Sequence, residues 1–226
     1  MKYLKFGVFI AVICLFSCNG NAWCQTSAAK VNTVKETKLS EVSSRENDRL
    51  QIQNLIKEML DWSESKKSID LVPVLTDSKD SICTGFDLKK LKTNLGILKG
   101  TNFFSTQFID NYEQIILTLS KKMSNKEFGE WSTGELPPFN FANDVDPWCD
   151  CQDVPYDTPK PWGLVEVKVI NLNSEDGELY WKWGKLSAEV SPDWKDFSYK
   201  FKVKRENGKW KISYLEGFDL SESIKI

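Results

Sequence analysis

The side chains that could do chemistry in this 226-residue chain are six cysteines, nine tryptophans and a cluster of aspartates; histidine is absent. Without histidine there is no Ser-His-Asp or Cys-His nucleophile and no imidazole metal ligand. The usual general base near neutral pH is missing too. Asp144, Asp146, Asp150, Asp153 and Asp157 crowd fourteen residues and raise the question of calcium. A twelve-residue calcium loop beginning at Asp144 would place Trp148 fifth and Pro155 twelfth, and its sixth position lacks the glycine such loops need. We therefore read these aspartates as turn caps and expect no metal and no cofactor. Trp181 and Trp183 lie two apart, on one face of any strand they share. With Trp210 and Tyr214 they are the ligand-binding candidates, set against the plainer expectation that strand tryptophans fill a core. Tyr180, Tyr214, Glu178 and Asp193 have no spacing that singles out an acid–base pair, so no catalytic residue is named.

The cysteines depend on the compartment. Lys2 and Lys5 precede an uninterrupted apolar run, Phe6 to Phe16. That is the layout of a secretory signal, and the run is too short for a mature membrane span. It ends in Leu15-Phe16-Ser17-Cys18, which resembles the bacterial lipobox. The resemblance implies that residues 1–17 are removed and Cys18 becomes an acylated first residue, holding the protein on a membrane. Ordinary cleavage after Ala22 is the alternative. Cys14 would be discarded with the signal, leaving Cys24, Cys83, Cys149 and Cys151 as disulfide candidates. An even count in an exported chain suggests disulfides, and four thiols allow three connectivities. Pairing Cys149 with Cys151 looks cramped. Cys83 with Cys149 or Cys151 is the expected bridge, closing a long loop for roughly 3–4 kcal/mol. A four-thiolate metal site is the alternative.

Charge narrows the partners. The net charge is −2 with a pI near 5.5. Removing residues 1–17 takes two lysines and no carboxylate, which moves it to −4. Phosphate binding needs a concentrated positive field, so no nucleic-acid partner is expected.

The elements that must position these residues follow from periodicity. Residues 18–45 are polar and aperiodic and read as a flexible tether. Residues 46–226 are a usual size for one domain. Ile52, Leu55, Ile56, Met59 and Leu60 follow helical spacing, with Ser44 or Asn47 as the cap. The segment Leu71 to Leu75 is too short and proline-broken for a central strand. Asp87 is placed to cap a helix through Leu98, with Leu88, Leu91, Leu95 and Leu98 on one face. A third helix spans about Ser105 to Met123. Residues 124–163 form a long irregular stretch with six of the eight prolines, a length that is either functional or pinned. After it the period becomes two, through Val165, Leu179, Phe197 and Trp210, with Asn207-Gly208 as a hairpin turn. Helices followed by an antiparallel meander predict an α+β domain, with N-terminal helices on a curved antiparallel sheet.

The ending Tyr199 to Ile212, with its Asn207-Gly208 turn and Trp210, resembles the closing hairpin of nuclear transport factor 2-like (cystatin-like) domains. Asn102-Phe103-Phe104-Ser105, Asp146-Pro147-Trp148 and Gln152-Asp153 further resemble bacterial lipoproteins of unknown function with that cone-shaped fold. The resemblance implies an envelope protein anchored on the periplasmic or extracellular side. That family carries no established activity. Because histidine is absent and the strands alternate Val, Trp, Phe and Tyr inward, the head is expected to bind a small apolar ligand or an envelope protein without catalysis, and dimerisation is common in this fold. Two alternatives stand beside it. One is an enzyme using Tyr and carboxylates in the cone, and the other is an inhibitor or immunity-type module. A concave apolar cavity of roughly 300 Å³ or more would mark the ligand binder. An open sheet face with exposed aromatic residues would mark the protein-binding module.

Overall fold

The computed structural model describes residues 26–77, 79, 81–155, 159–186 and 192–226. The chain divides into two units, Met1–Ser44 and Arg45–Ile226, and the core lies in the second. Cys18 and Cys24 fall outside the described residues.

The fold is mixed helix and antiparallel sheet. Helix α1 runs Thr26–Ser63, so residues 26–45 are helical where a tether was expected. Ser44 and Asn47 lie inside this helix rather than capping it. No glycine or proline occurs between positions 26 and 63, and Ala, Lys, Glu, Leu and Arg carry the helix without an apolar stripe to announce it. Ile52, Ile56, Met59 and Leu60 are its buried face.

A short hairpin, β1 Val74–Asp77 and β2 Ile82–Phe86, follows and was not foreseen. Pro73 precedes β1 rather than interrupting it, which a strand tolerates. Helix α2 spans Leu88–Thr101. The Asp87 carboxylate accepts from the backbone N–H groups of Lys89 and Lys90, and Asn102 ends the helix at φ 62°. Its buried face is Leu91, Asn94 and Leu98, while Leu88 is exposed. Helix α3 spans Thr106–Ser124 and is capped by Ser105 on Phe108 N. Phe108, Tyr112, Ile115, Ile116 and Leu119 form its buried stripe, and Lys121 and Lys122 suit the negative end of its dipole.

Strands β3 Val165–Leu172, β4 Asp176–Trp183, β5 Tyr199–Glu206 and β6 Lys209–Leu215 form an antiparallel meander in that order. Short helices α4 Pro192–Asp196 and α5 Leu220–Ser223 complete the chain. Asn207 and Gly208 both take positive φ, 53° and 74°, the two-residue turn whose twist matches the strands. Both edges of the sheet are partly covered. At β6, Ser105 N donates to Ile212 O at 2.9 Å and Ile212 N donates to Phe103 O at 2.8 Å. At β3, the Gln53 amide donates to Val165 O at 2.6 Å and accepts from Val167 N at 2.8 Å, so a side chain does what a neighbouring strand would.

The long segment 124–163 is pinned. Trp148 packs on Phe218 at 4.6 Å between ring centroids and on Phe104 at 5.5 Å, inside the core that α3 shares with the sheet. Phe139 and Phe141 are buried as well. Thr133 N donates to Ser81 O and Cys83 N donates to Trp131 O, tying the segment to the hairpin.

Among the described residues the disulfide is Cys149–Cys151, and Cys83 is a buried free thiol. This corrects the expected bridge from Cys83. The segment does return to β2, but at Trp131 to Thr133 rather than at residues 149–151. Asp150, at φ 52°, turns the chain back on itself and brings the two cysteine Cα atoms to 5.2 Å, within ordinary disulfide range.

Candidate functional site

The two faces of the meander differ sharply. The inner face carries Leu179, Trp181, Tyr199, Phe201 and Ile212, each fully buried. The ligand candidates Trp181, Trp183 and Trp210, at 0, 5 and 5 % exposure, belong to this packed face. They are core rather than a platform, because strand alternation turns them toward the helices. Trp183 stacks between Trp162 at 5.4 Å and Trp194 at 6.1 Å, and Trp181 meets Trp183 edge-on. Trp210 Nε1 donates to Asp48 Oδ1 at 2.9 Å. Asp48 also pairs with Arg205 at 2.6 Å, and that guanidinium lies over the Trp210 ring at 4.4 Å.

The fourth candidate, Tyr214, is on the other face. A bulge between Lys202 and Val203 places Ser213 as an extra residue opposite β5, so Ile212 and Leu215 both stay buried and Tyr214 turns outward. Plain alternation from Trp210 would have kept Tyr214 on the Trp210 face. The pairings build the outer face row by row. Glu166 opposes Lys182, and Lys168 opposes Tyr180, which opposes Lys200. Glu178 opposes Lys202, which opposes Tyr214, and Asp176 opposes Lys204, which opposes Lys211. Six lysines and two tyrosines therefore share one open surface on a chain whose net charge is negative.

The electrostatics of this face are uneven. Lys168 bonds Glu166 at 2.9 Å, and its ammonium holds that carboxyl below its usual range. Lys204 reaches Glu206 at 3.9 Å. Among the described residues, Lys182, Lys200, Lys202 and Lys211 make no salt bridge. The Lys202 ammonium lies 5.6 Å from the centre of the Tyr214 ring. The Tyr214 hydroxyl donates to Asp219 Oδ2 at 3.3 Å, and burial together with that carboxylate pushes its pKa up to about 12. An array of tethered ammonium groups around two phenol rings suits acidic and aromatic surfaces, through charge and cation–π attraction.

Two carboxylates of the aspartate cluster bond within their own loop, one to backbone and one to a side chain. Asp146 Oδ1 accepts from Trp148 N at 3.0 Å, and Asp144 accepts from the Gln152 amide at 2.7 Å. Asp157 lies outside the described residues. Burial raises the carboxyls of Asp146 and Asp150. Beside Asp146 lies an open groove of about 700 Å³, lined by Ser63, Ser65, Lys66, Ser68, Lys90 and Trp148 among others. Its lining mixes these polar groups with Ile69, Leu71, Ala142, Val145 and Pro147, so it is not the apolar cavity expected of a ligand binder. Neither this groove nor the lysine–tyrosine face was singled out in the sequence. Alternating Lys200, Lys202 and Lys204 was the available signal for the face, and only the register of four strands gathers the rest.

No family model, curated protein or solved structure matches the chain with significant similarity.

Proposed function

We propose that this chain is a membrane-anchored envelope lipoprotein whose head binds another protein without catalysis, through the open lysine–tyrosine face of its sheet. The observation that carries the reading is the contrast between the two faces. The inner one is filled by aromatic side chains, and the outer one presents Tyr180, Tyr214 and six lysines, which outnumber its carboxylates Glu166, Asp176 and Glu178. The partner is a protein with an acidic surface, the complement of that face. A signal over residues 1–17 and acylation at Cys18 supply the anchor in this reading, and the lipobox resemblance supports them. Helices preceding a four-stranded meander, closed by the Asn207-Gly208 turn, support a nuclear transport factor 2-like cone. The packed inner face is the reason to place the partner on the outer one.

The test compares capture of envelope proteins by the wild-type protein and by a Lys200→Glu/Lys202→Glu variant, at low and high salt. A partner whose retention falls at least about tenfold in the variant, and which is released by salt, supports the reading. A partner retained equally by both contradicts it. Membrane partition of Cys18→Ser tests the anchor separately, and undiminished partition would overturn it.

A further inference from the structure

The Cys149–Cys151 bond closes a ring over a single residue, Asp150. A cross-link over so short a span removes little freedom from the unfolded chain, much less than one closing a long loop. The turn is also held without it. Asp146 N donates to Cys151 O at 3.0 Å, and the N–H groups of Cys149 and Asp150 both donate to Asp146 O, at 3.1 and 2.7 Å. As a staple the bond therefore contributes little.

As a reactive group it is well placed. Both cysteines line a recess of about 160 Å³ together with Glu64, Asp146, Asp153 and Trp162. Cys149 is 3 % exposed, while Cys151 is only half-buried. The surroundings also favour the reduced pair. Cys149 Sγ lies 3.7 Å from the Asp146 carbonyl oxygen and 3.8 Å from that of Cys151. A disulfide sulfur has no hydrogen to offer these acceptors, whereas a thiol at Cys149 does. Reduction therefore lets Cys149 donate a hydrogen bond to one of these carbonyls that the oxidised form lacks, and this draws electrons toward the pair.

We infer that Cys149–Cys151 is a thiol–disulfide exchange site that oxidises cysteine-bearing peptides carrying basic residues beside the cysteine. The thiolate of the peptide attacks Sγ of Cys151, the more exposed of the two residues, forming a mixed disulfide. The Cys149–Cys151 bond breaks, and Cys149 leaves with the bonding pair and takes a proton. A second thiolate of the peptide then attacks the mixed disulfide and releases Cys151, which also takes a proton; the two protons are those the peptide thiols gave up to solvent on ionising. Two electrons have passed from peptide to protein, which now holds two thiols, while the peptide holds a disulfide. The preference for basic flanks follows from the neighbouring Glu64 and Asp146 carboxylates of the recess, which repel a bare thiolate and attract neighbouring lysines. The inference does not depend on the sheet face.

The test mixes the oxidised protein with a reduced two-cysteine peptide flanked by lysines, or with the same peptide flanked by glutamates. Thiols are quenched by alkylation and the fragment carrying Cys149 and Cys151 is followed by mass spectrometry. Each rate is divided by the rate of that peptide toward a neutral aliphatic disulfide, which removes the intrinsic effect of lysine on its thiols. The expected result is peptide disulfide formed with both cysteines newly alkylated and Cys83 untouched. The lysine peptide should react at least about ten times faster, an advantage lost in high salt. Cys149→Ser should form a mixed disulfide with the oxidised peptide, and Cys151→Ser should do so at least about tenfold more slowly. A bond that survives the lysine peptide, or equal normalised rates for the two peptides, overturns the inference. Because the peptide comparison uses the wild-type protein, it decides the matter even if a cysteine variant fails to fold.

Discussion

The Tyr199 hydroxyl donates to the Pro147 carbonyl at 2.6 Å across a separation of fifty-two residues, and accepts from Gly217 N at 3.0 Å. One fully buried phenol thereby joins β5, the turn that bears the disulfide, and the segment after β6. The three approach so closely that a Cβ on Gly217 would come within 2.8 Å of Pro147 Cα.

Tyr199→Phe removes the hydroxyl and leaves a buried carbonyl and a half-buried N–H without their partner. The expected cost is about 1–3 kcal/mol, read from urea unfolding. An unchanged midpoint would mean that water or a shifted turn satisfies both groups.

Trp148→Ala tests whether the long segment belongs to the core. The indole packs against Trp62, Phe104, Phe108 and Phe218. Truncation should cost roughly 3–5 kcal/mol, as for other buried aromatic residues. A loss below about 1 kcal/mol would show that the segment detaches without consequence for the domain.

Helix α2, helix α3 and the four strands were legible because each carries its own local signal. Asp87 and Ser105 are good caps, the α3 stripe has helical period, and Asn207-Gly208 takes positive φ cheaply. What was missed depends on contacts distant in sequence or on an absence of signal. The first half of α1 is helical without an apolar stripe. Hairpin β1–β2 is short and follows a proline. The bulge at Ser213, which puts Tyr214 on the open face, cannot be read from alternation because it breaks it. The Cys149–Cys151 bond needed Asp150 at positive φ, a conformation aspartate adopts more readily than most residues but does not advertise. The open face itself is a product of register, since its lysines come from all four strands.

The Asp48–Arg205–Trp210 cluster fastens α1 to the sheet. Asp48→Ala should cost about 2 kcal/mol, because it leaves a partly buried guanidinium and an indole N–H unpaired. A double-mutant cycle with Arg205→Met should show coupling, and additive losses would show that the pair is not an energetic unit.

Alkaline pH should weaken the fold through its tyrosines. Burial raises the phenols of Tyr112, Tyr199 and Tyr214 above the ordinary value of 10.0, Tyr214 to about 12. Above pH 10 the unfolded chain loses these protons while the folded one keeps them, so the folded state binds more protons and stability falls as pH rises. The loss begins near pH 10 and for Tyr214 continues to about pH 12. Absorbance of phenolate at 295 nm should show fewer ionised tyrosines at pH 11 in native protein than in urea. Coincident titrations would contradict the burial of these hydroxyls.

The most direct test of the binding face is a photo-reactive residue at position 180, at the centre of the lysine–tyrosine surface, with a matched control at exposed Leu136. Crosslinking in intact cells should give one discrete protein adduct from position 180. Lys200→Glu/Lys202→Glu should abolish it, and position 136 should not give it. An adduct from position 136 with none from position 180, or one indifferent to the lysine reversals, would contradict the assignment of this face as the binding surface.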